Sequence, residues 1–468
     1  MSNTRIQDIY PLSPMQGGLL FQALYAPNSD AYFVQDIFEL NGKIDAQALQ
    51  SAWQMVSDHH PILRTGIIWE KLETPLQYVL ESVAVPFIQY DWQNLNEETQ
   101  QEKLEELIQK DRKQGFDLSK APLFRLILIR HSKDRYCLIW SQHHILLDGW
   151  GSPIILADVF NSYEEIKAGR APSLPARRPY RDYIAWLQQQ DITKAEAFWK
   201  DYLAHMEGPT LLSFKDIINK NPEKDYDTYS LQLSVEETEQ LRKFAQEHNL
   251  TLNTVIQGAV GLVLKTYTQQ PEVIMGVTVS GRTMNLPGVE EMVGLFINTL
   301  PLRIVPQPRE NITSFFKRLQ EQAQTLNDYC YTPLAQIQSW TGINQSLFNV
   351  IFVFENFPTG EEAASIQSDL EVRGGKGIEK TEYPLTIAIG PGKRLYISLS
   401  FQTEHFNEEI IKKLSNHIKQ ILHHIIDPQS SAFDLPIISQ SIHTLSLLTS
   451  QEKHQLLFEW NETKAEYP

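Results

Sequence analysis

Ser141-Gln142-His143-His144-Ile145-Leu146-Leu147-Asp148-Gly149-Trp150-Gly151 is the stretch on which the reading of this chain turns. The run before it, Tyr136–His143, is rich in β-formers and predicts a strand that ends at the histidines. Adjacent residues of a strand point to opposite faces, so one histidine can serve the packing while the other enters a cleft. Asp148 stands four residues after His144, where a carboxylate can hold the start of a turn or helix, and Gly149 and Gly151 let backbone approach closely. A histidine that is neutral near pH 7 accepts a proton from an amine or hydroxyl nucleophile. The chain carries two further histidine pairs that act as controls. His59-His60 precedes Pro61 at a helix end, and His423-His424 lies late in an amphipathic run without the glycine; both read as structural.

Working outward, helices and strands interleave in both halves, which makes the class α/β with mixed sheets. Asp45–Asp58 reads as a helix, with Ala46, Leu49, Trp53 and Val56 at helical spacing behind the cap Asp45. Glu98–Lys113 and Thr193–His205 are further helices. Ser234-Val235-Glu236-Glu237 is a capping box that opens a helix to about His248, and Glu408–Ile426 is a long amphipathic helix. Tyr229–Leu233 and Arg394–Gln402 read as strands. Val273–Val279 and Asn349–Phe354 are largely apolar and predict strands inside a sheet. The crossing between halves is expected near Gly208–Lys224 or around Ala171–Pro179.

The chain has 468 residues, 42% of them hydrophobic, enough for more than one core. A formal net charge of -16 disfavours nucleic-acid binding, which needs a basic surface to displace counterions. Two cysteines argue against a disulfide framework or a four-cysteine zinc site, and the histidines and carboxylates show no ligand spacing, so no metal is expected. The start of the chain has no apolar signal core, and the longest apolar runs are too short to span a bilayer, which predicts a cytoplasmic protein without a membrane partner.

His-His-x-x-x-Asp-Gly is the signature of the condensation-domain superfamily of non-ribosomal peptide synthetases, and this chain resembles that family along most of its length. Tyr10-Pro11-Leu12-Ser13-Pro14-Met15-Gln16-Gly17-Gly18-Leu19-Leu20-Phe21 is similar to the family's opening motif, and His60-Pro61-Ile62-Leu63-Arg64-Thr65 to the second, with its characteristic Arg64. Tyr180–Trp186, Met292–Thr299 followed by Arg303, Tyr331–Leu334 and Leu347–Asn356 resemble the later motifs, in the family's order.

The resemblance implies two chloramphenicol-acetyltransferase-like subdomains in a V-shaped pseudodimer around a central tunnel. It divides the chain into an N-terminal lobe, 1–175, a C-terminal lobe, 176–445, and a linker toward an adenylation domain, 446–468. Two carrier proteins would present phosphopantetheine thioesters from opposite ends, with no cofactor bound by the domain itself. The catalytic motif residues carried over are His143, His144, Asp148 and Gly149. His144 is expected in the tunnel as general base or as a group that positions the amine, and Gly149 offers a backbone N–H near the oxyanion. Asp148 is expected to pair with Arg64 and hold the loop. Ser280, Gly281, Arg282 and Asn298 are tunnel or substrate candidates.

Three rival readings share parts of this pattern: an epimerization domain, a carrier-independent acyltransferase, and a catalytically silent docking module. The Val293–Thr299 stretch reads as in condensation domains, the histidine motif is intact, and the tail Gln455–Thr463, ending at Tyr467-Pro468, resembles the lead-in to an adenylation domain. The forms of the opening, histidine and fifth motifs resemble the subtype that joins a D donor to an L acceptor. Met1 stands a few residues before the first motif, which predicts a subunit start, a donor carrier arriving on a separate polypeptide, and a docking role for Ser2–Gln7.

Overall fold

The computed structural model describes residues 5–27, 29–214, 225–356, 370–426 and 445–461. The start of the expected docking segment, most of the irregular 208–224 stretch and the last residues of the tail lie outside these.

Among the described residues, seven strands come from the first half: β1 Ile6–Pro11, β2 Phe33–Asn41, β3 Thr65–Ile68, β4 Leu76–Leu80, β5 Phe87–Asp91, β6 Phe124–Arg130 and β7 Arg135–His143. Seven follow in the second: β8 Tyr226–Gln232, β9 Val273–Val279, β10 Asn298–Ile304, β11 Val350–Phe354, β12 Glu371–Ile378, β13 Leu385–Pro391 and β14 Leu395–Gln402. They form a small sheet β1-β4-β3, a sheet β12-β2-β7-β6-β5 and a sheet β10-β9-β11-β13-β14-β8. The class is the expected α/β with mixed sheets.

The apolar runs find interior positions. β11 is parallel to both β9 and β13, an interior place in the sheet where both faces are covered, which explains its unbroken buried run Val350-Ile351-Phe352. In the first half the helices Ala46–His59 and Gly151–Lys167 pack together, and Trp53 meets Trp140 of β7 at 5.1 Å between ring centroids. In the second, Glu408–Ile426 lays its Ile411, Leu414, Ile418, Ile421 and Leu422 stripe on the helices Val235–Glu247 and Leu252–Thr268. Asp45 and Ser234 cap their helices as the sequence predicts, Ser234 through a full capping box.

The two halves interlock. β12 leaves the second half and adds an antiparallel edge to the first half's sheet, pairing along β2 from Glu371↔Asn41 to Ile378↔Gln35. Tyr180, Tyr183 and Ile184, with Met292, Leu295 and Phe296, are buried in the core of the first half. A cut at 175/176 follows chain order, while the cores reach across it. No helix among the described residues is long and apolar enough to cross a membrane.

Candidate functional site

β7 is an interior strand whose register with β2 ends at Phe33↔His143. The chain then turns through Ile145, Leu146 and Leu147, all at most 2% exposed, so three apolar side chains anchor the loop beyond the histidines. Asp148 closes the turn. Its Oδ1 accepts from the backbone N–H groups of Trp150 and Gly151, both at 3.1 Å, and this leads into the helix Gly151–Lys167.

The predicted pairing of Asp148 with Arg64 is not what the fold makes. Asp148 pairs with Arg282, Nη2 to Oδ1 at 3.1 Å, and its Oδ2 accepts from the Phe296 N–H at 2.9 Å. Arg282 also donates to the carbonyls of Val289 and Met292 and lies 4.2 Å over the Phe296 ring. Arg64 sits elsewhere, donating to Gln7 and to the carbonyls of Ser57, Asp58, Leu80 and Glu81. The two arginines exchange roles for a topological reason: the turn after β9 carries Arg282 across to the first half, whereas Arg64 directly precedes β3 and donates to Gln7 of β1 and to the chain at the end of β4.

Arg282 and Asn298, carried over as tunnel candidates, spend their hydrogen bonds on protein groups. The Asn298 amide donates to the carbonyls of Cys330 and Thr332. Gly281 has φ +63, and a Cβ there would stand 2.0 Å from the Phe296 carbonyl oxygen. Of the four tunnel candidates, Ser280 lines the central cavity.

The two histidines divide their work. His143 is buried, and its Nδ1 accepts the Ile145 N–H at 3.1 Å, which fixes a neutral ring. Burial, with the neighbouring His144, pushes it down to about 3. His144 faces a cavity of ≈ 1150 Å³ lined from both halves, together with Gly149, Trp150, Val277, Ser280 and Glu379. Its backbone N–H donates to the Tyr32 carbonyl at 2.8 Å, and its Nε2 lies 3.2 Å from Glu379 Oε1. Burial alone would lower the imidazole; the Glu379 carboxylate overrides it and raises His144 to about 9. Glu379, on the cavity wall, is in turn held below the usual carboxylate range, because the attraction of His144 outweighs the loss of solvation there. The control histidines are structural as expected: His60 pairs with Asp158 at 2.8 Å and His423 with Glu237 at 2.5 Å.

Glu379 and Tyr32 were missed in the sequence. Each sits in a polar or irregular segment, and sheet pairing brings them together from 347 residues apart. The neighbourhood is acidic. Asp36 and Glu355 are each raised to about 7, by burial first and then by Glu379, and Glu382, which accepts from the Tyr32 hydroxyl, is raised to about 7 chiefly by burial. Among the described residues no group of three or more histidine, cysteine or acidic side chains is arranged to hold a metal.

The family model described as Condensation domain matches residues 6–457. A linear gramicidin synthase polypeptide of Brevibacillus parabrevis is 39% identical over 99% of this chain, which covers 9% of that protein. Bacitracin synthase 3 of Bacillus licheniformis is 34% identical over 99% of this chain and 7% of its own length. The chain thus spans less than a tenth of the length of these synthetases. Among solved structures, the first condensation domain of the calcium-dependent antibiotic synthetase, in complex with a substrate analogue, shares the fold at TM-score 0.75 and 16% identity, over 95% of this chain and all of that one. The X-domain from teicoplanin biosynthesis does so at 0.76 and 21%, over 94% and 97%.

Proposed function

The chain belongs to the condensation-domain family, the amide-forming acyltransferases of non-ribosomal peptide synthesis, and from that premise we propose that it joins two carrier-bound acyl groups at His144. The donor is an aminoacyl or peptidyl thioester and the acceptor an aminoacyl thioester, each on the phosphopantetheine arm of a carrier protein. The acceptor amine attacks the donor carbonyl, the C–S bond breaks, and the donor chain passes to the acceptor while the donor's carrier leaves as a thiol. An adenylation domain is the neighbour that would load the acceptor's carrier.

One observation carries this reading: His144 alone of the motif's polar side chains faces the cavity shared by the two halves. His143 is committed to the Ile145 N–H and Asp148 to Arg282 and three backbone donors. His144 orients the attacking nitrogen and handles its proton, a role worth roughly 10²–10⁴-fold. Gly149, on the same wall, presents its backbone to the carbonyl where negative charge develops. Asp148, Arg282 and Gly281 keep this wall in place.

The test mixes the domain with a donor carrier and an acceptor carrier, both loaded, and follows the arms by mass spectrometry. Transfer of the donor onto the acceptor is the expected outcome. An epimerised donor without transfer, or no change in either arm, would overturn the assignment in favour of an epimerization domain or a silent docking module.

A further inference from the structure

We propose that Glu379 is the receptor for the acceptor's α-ammonium group, which displaces His144 from its ion pair and so frees the imidazole to take a proton. The proposal rests on the reading of His144 given above and names the partner that this reading lacks.

The geometry is built by backbone. Tyr32 precedes β2 and lies between the ends of β7 and β12. Its carbonyl accepts from the His144 N–H at 2.8 Å, and its own N–H donates to the Lys380 carbonyl at 2.8 Å. The positive φ of Tyr32, 64°, turns the chain so that both bonds form, a conformation that a non-glycine residue adopts only under constraint. Glu379 is the residue before Lys380, so the same residue, Tyr32, that sets His144 also sets Glu379 beside it.

The two partners differ in exposure. The His144 side chain is 11% exposed, while that of Glu379 is 41% exposed and lines the cavity, open to an arriving cation. The groups facing Glu379 are His144 from the end of β7, Asp36 from β2, Glu355 beyond β11, Tyr226 from β8 and, at longer range, Arg112 from the helix Glu97–Gln114. The neighbouring Lys380 is bound to Asp30 at 2.9 Å. The surroundings thus favour a cation at Glu379, and His144 fills that place.

A carboxylate that serves two cations couples them. Ammonium binding lowers the affinity of His144 for its proton, and by linkage the reverse holds equally. The protons balance as follows. When the ammonium docks on Glu379, His144 releases its proton to solvent. The ammonium gives one proton to the neutral imidazole, and the amine then forms the C–N bond. The C–S bond breaks with its electron pair on sulfur, and the excess proton on nitrogen passes to that sulfur. Amide, thiol, imidazolium and Glu379 carboxylate remain, which is the resting pair again.

The test is an NMR titration of His144 in ¹³C-histidine-labelled domain, its signal assigned by the His144→Ala variant. The probe is L-alanyl pantetheine with an amide in place of the thioester; its N-acetyl form is the uncharged control. In the wild type the His144 midpoint should lie above that of an ordinary histidine and fall by about one pH unit or more with saturating probe, but not with the control. In Glu379→Gln it should start low and ignore the probe; Glu379→Asp should restore part of the response. In the transfer assay Glu379→Gln should raise the acceptor KM about tenfold and leave the donor KM unchanged. An unchanged midpoint in Glu379→Gln, an equal response to the acetylated control, or no response of the wild type would each overturn the proposal. Full transfer by His144→Ala would instead overturn the role of His144, which the titration does not touch.

Discussion

Asp148 accepts from four donors at once, the Trp150, Gly151 and Phe296 N–H groups and Arg282. Removing it strands the Arg282 guanidinium, whose side chain is 6% exposed, and a buried charge left alone costs roughly 3–5 kcal/mol. Asp148→Ala should therefore lower stability by about that amount in urea denaturation. A double-mutant cycle should find coupling of about 1 kcal/mol or more between Asp148 and Arg282, and none between Asp148 and Arg64. Additivity of the first pair would contradict the ion pair as the lock of the loop. The pH dependence of stability follows from His144 in the same way. Its folded pKa is raised to about 9, so its pairing with Glu379 contributes fully below the ordinary histidine value near 6.5 and is lost as pH rises toward 9. Between those limits the Tm of the wild type should fall more steeply than that of Glu379→Gln. Asp36 and Glu355, which Glu379 also raises, change the comparison in the same direction. Parallel Tm curves would contradict the pairing. At this scale the histidine motif was legible because its residues are contiguous on one strand and turn. The partner of Asp148 was not, because 134 residues separate it from Arg282 and only the packing of two halves decides which arginine arrives.

The turn after β9 is the element that delivers Arg282, and it depends on Gly281. With φ +63 and a Phe296 carbonyl where a Cβ would go, no other residue fits without moving the backbone. Gly281→Ala should cost about 3 kcal/mol and weaken transfer as well, because Arg282 and the loop of Asp148 shift together. Wild-type stability and rate in that variant would show the turn to be a passive link. The strands and helices with clear periodicity were readable: β9, β11 and the helix Glu408–Ile426 stand where their apolar patterns place them. β12 was not. Glu371-Val372-Arg373-Gly374-Gly375-Lys376-Gly377-Ile378 has three glycines and no alternation, and it becomes a strand because β2 offers an edge to pair with. Glu379, carried at its end, was invisible for the same reason.

Across the whole molecule, a cavity lined by two interlocked halves brings His144 and Glu379 from the sheet of one half to the walls of the other. A wall packed on both sides discriminates by misfit, since inverting the donor α-carbon exchanges its side chain and nitrogen substituent relative to the fixed thioester. The motif forms that resemble the D-donor, L-acceptor subtype predict a preference for the D donor on the order of 10–100-fold in competition between carriers loaded with either enantiomer. Equal rates, or preference for the L donor, would sink that expectation without touching the chemistry. The chemistry itself is tested most directly by single-turnover transfer between two loaded carriers with the His144→Ala domain, its folding checked by circular dichroism. Transfer should fall on the order of 10²-fold or more while the spectrum stays that of the wild type; a folded variant that condenses its carriers at near the wild-type rate would contradict the placement of His144 at the reacting centre.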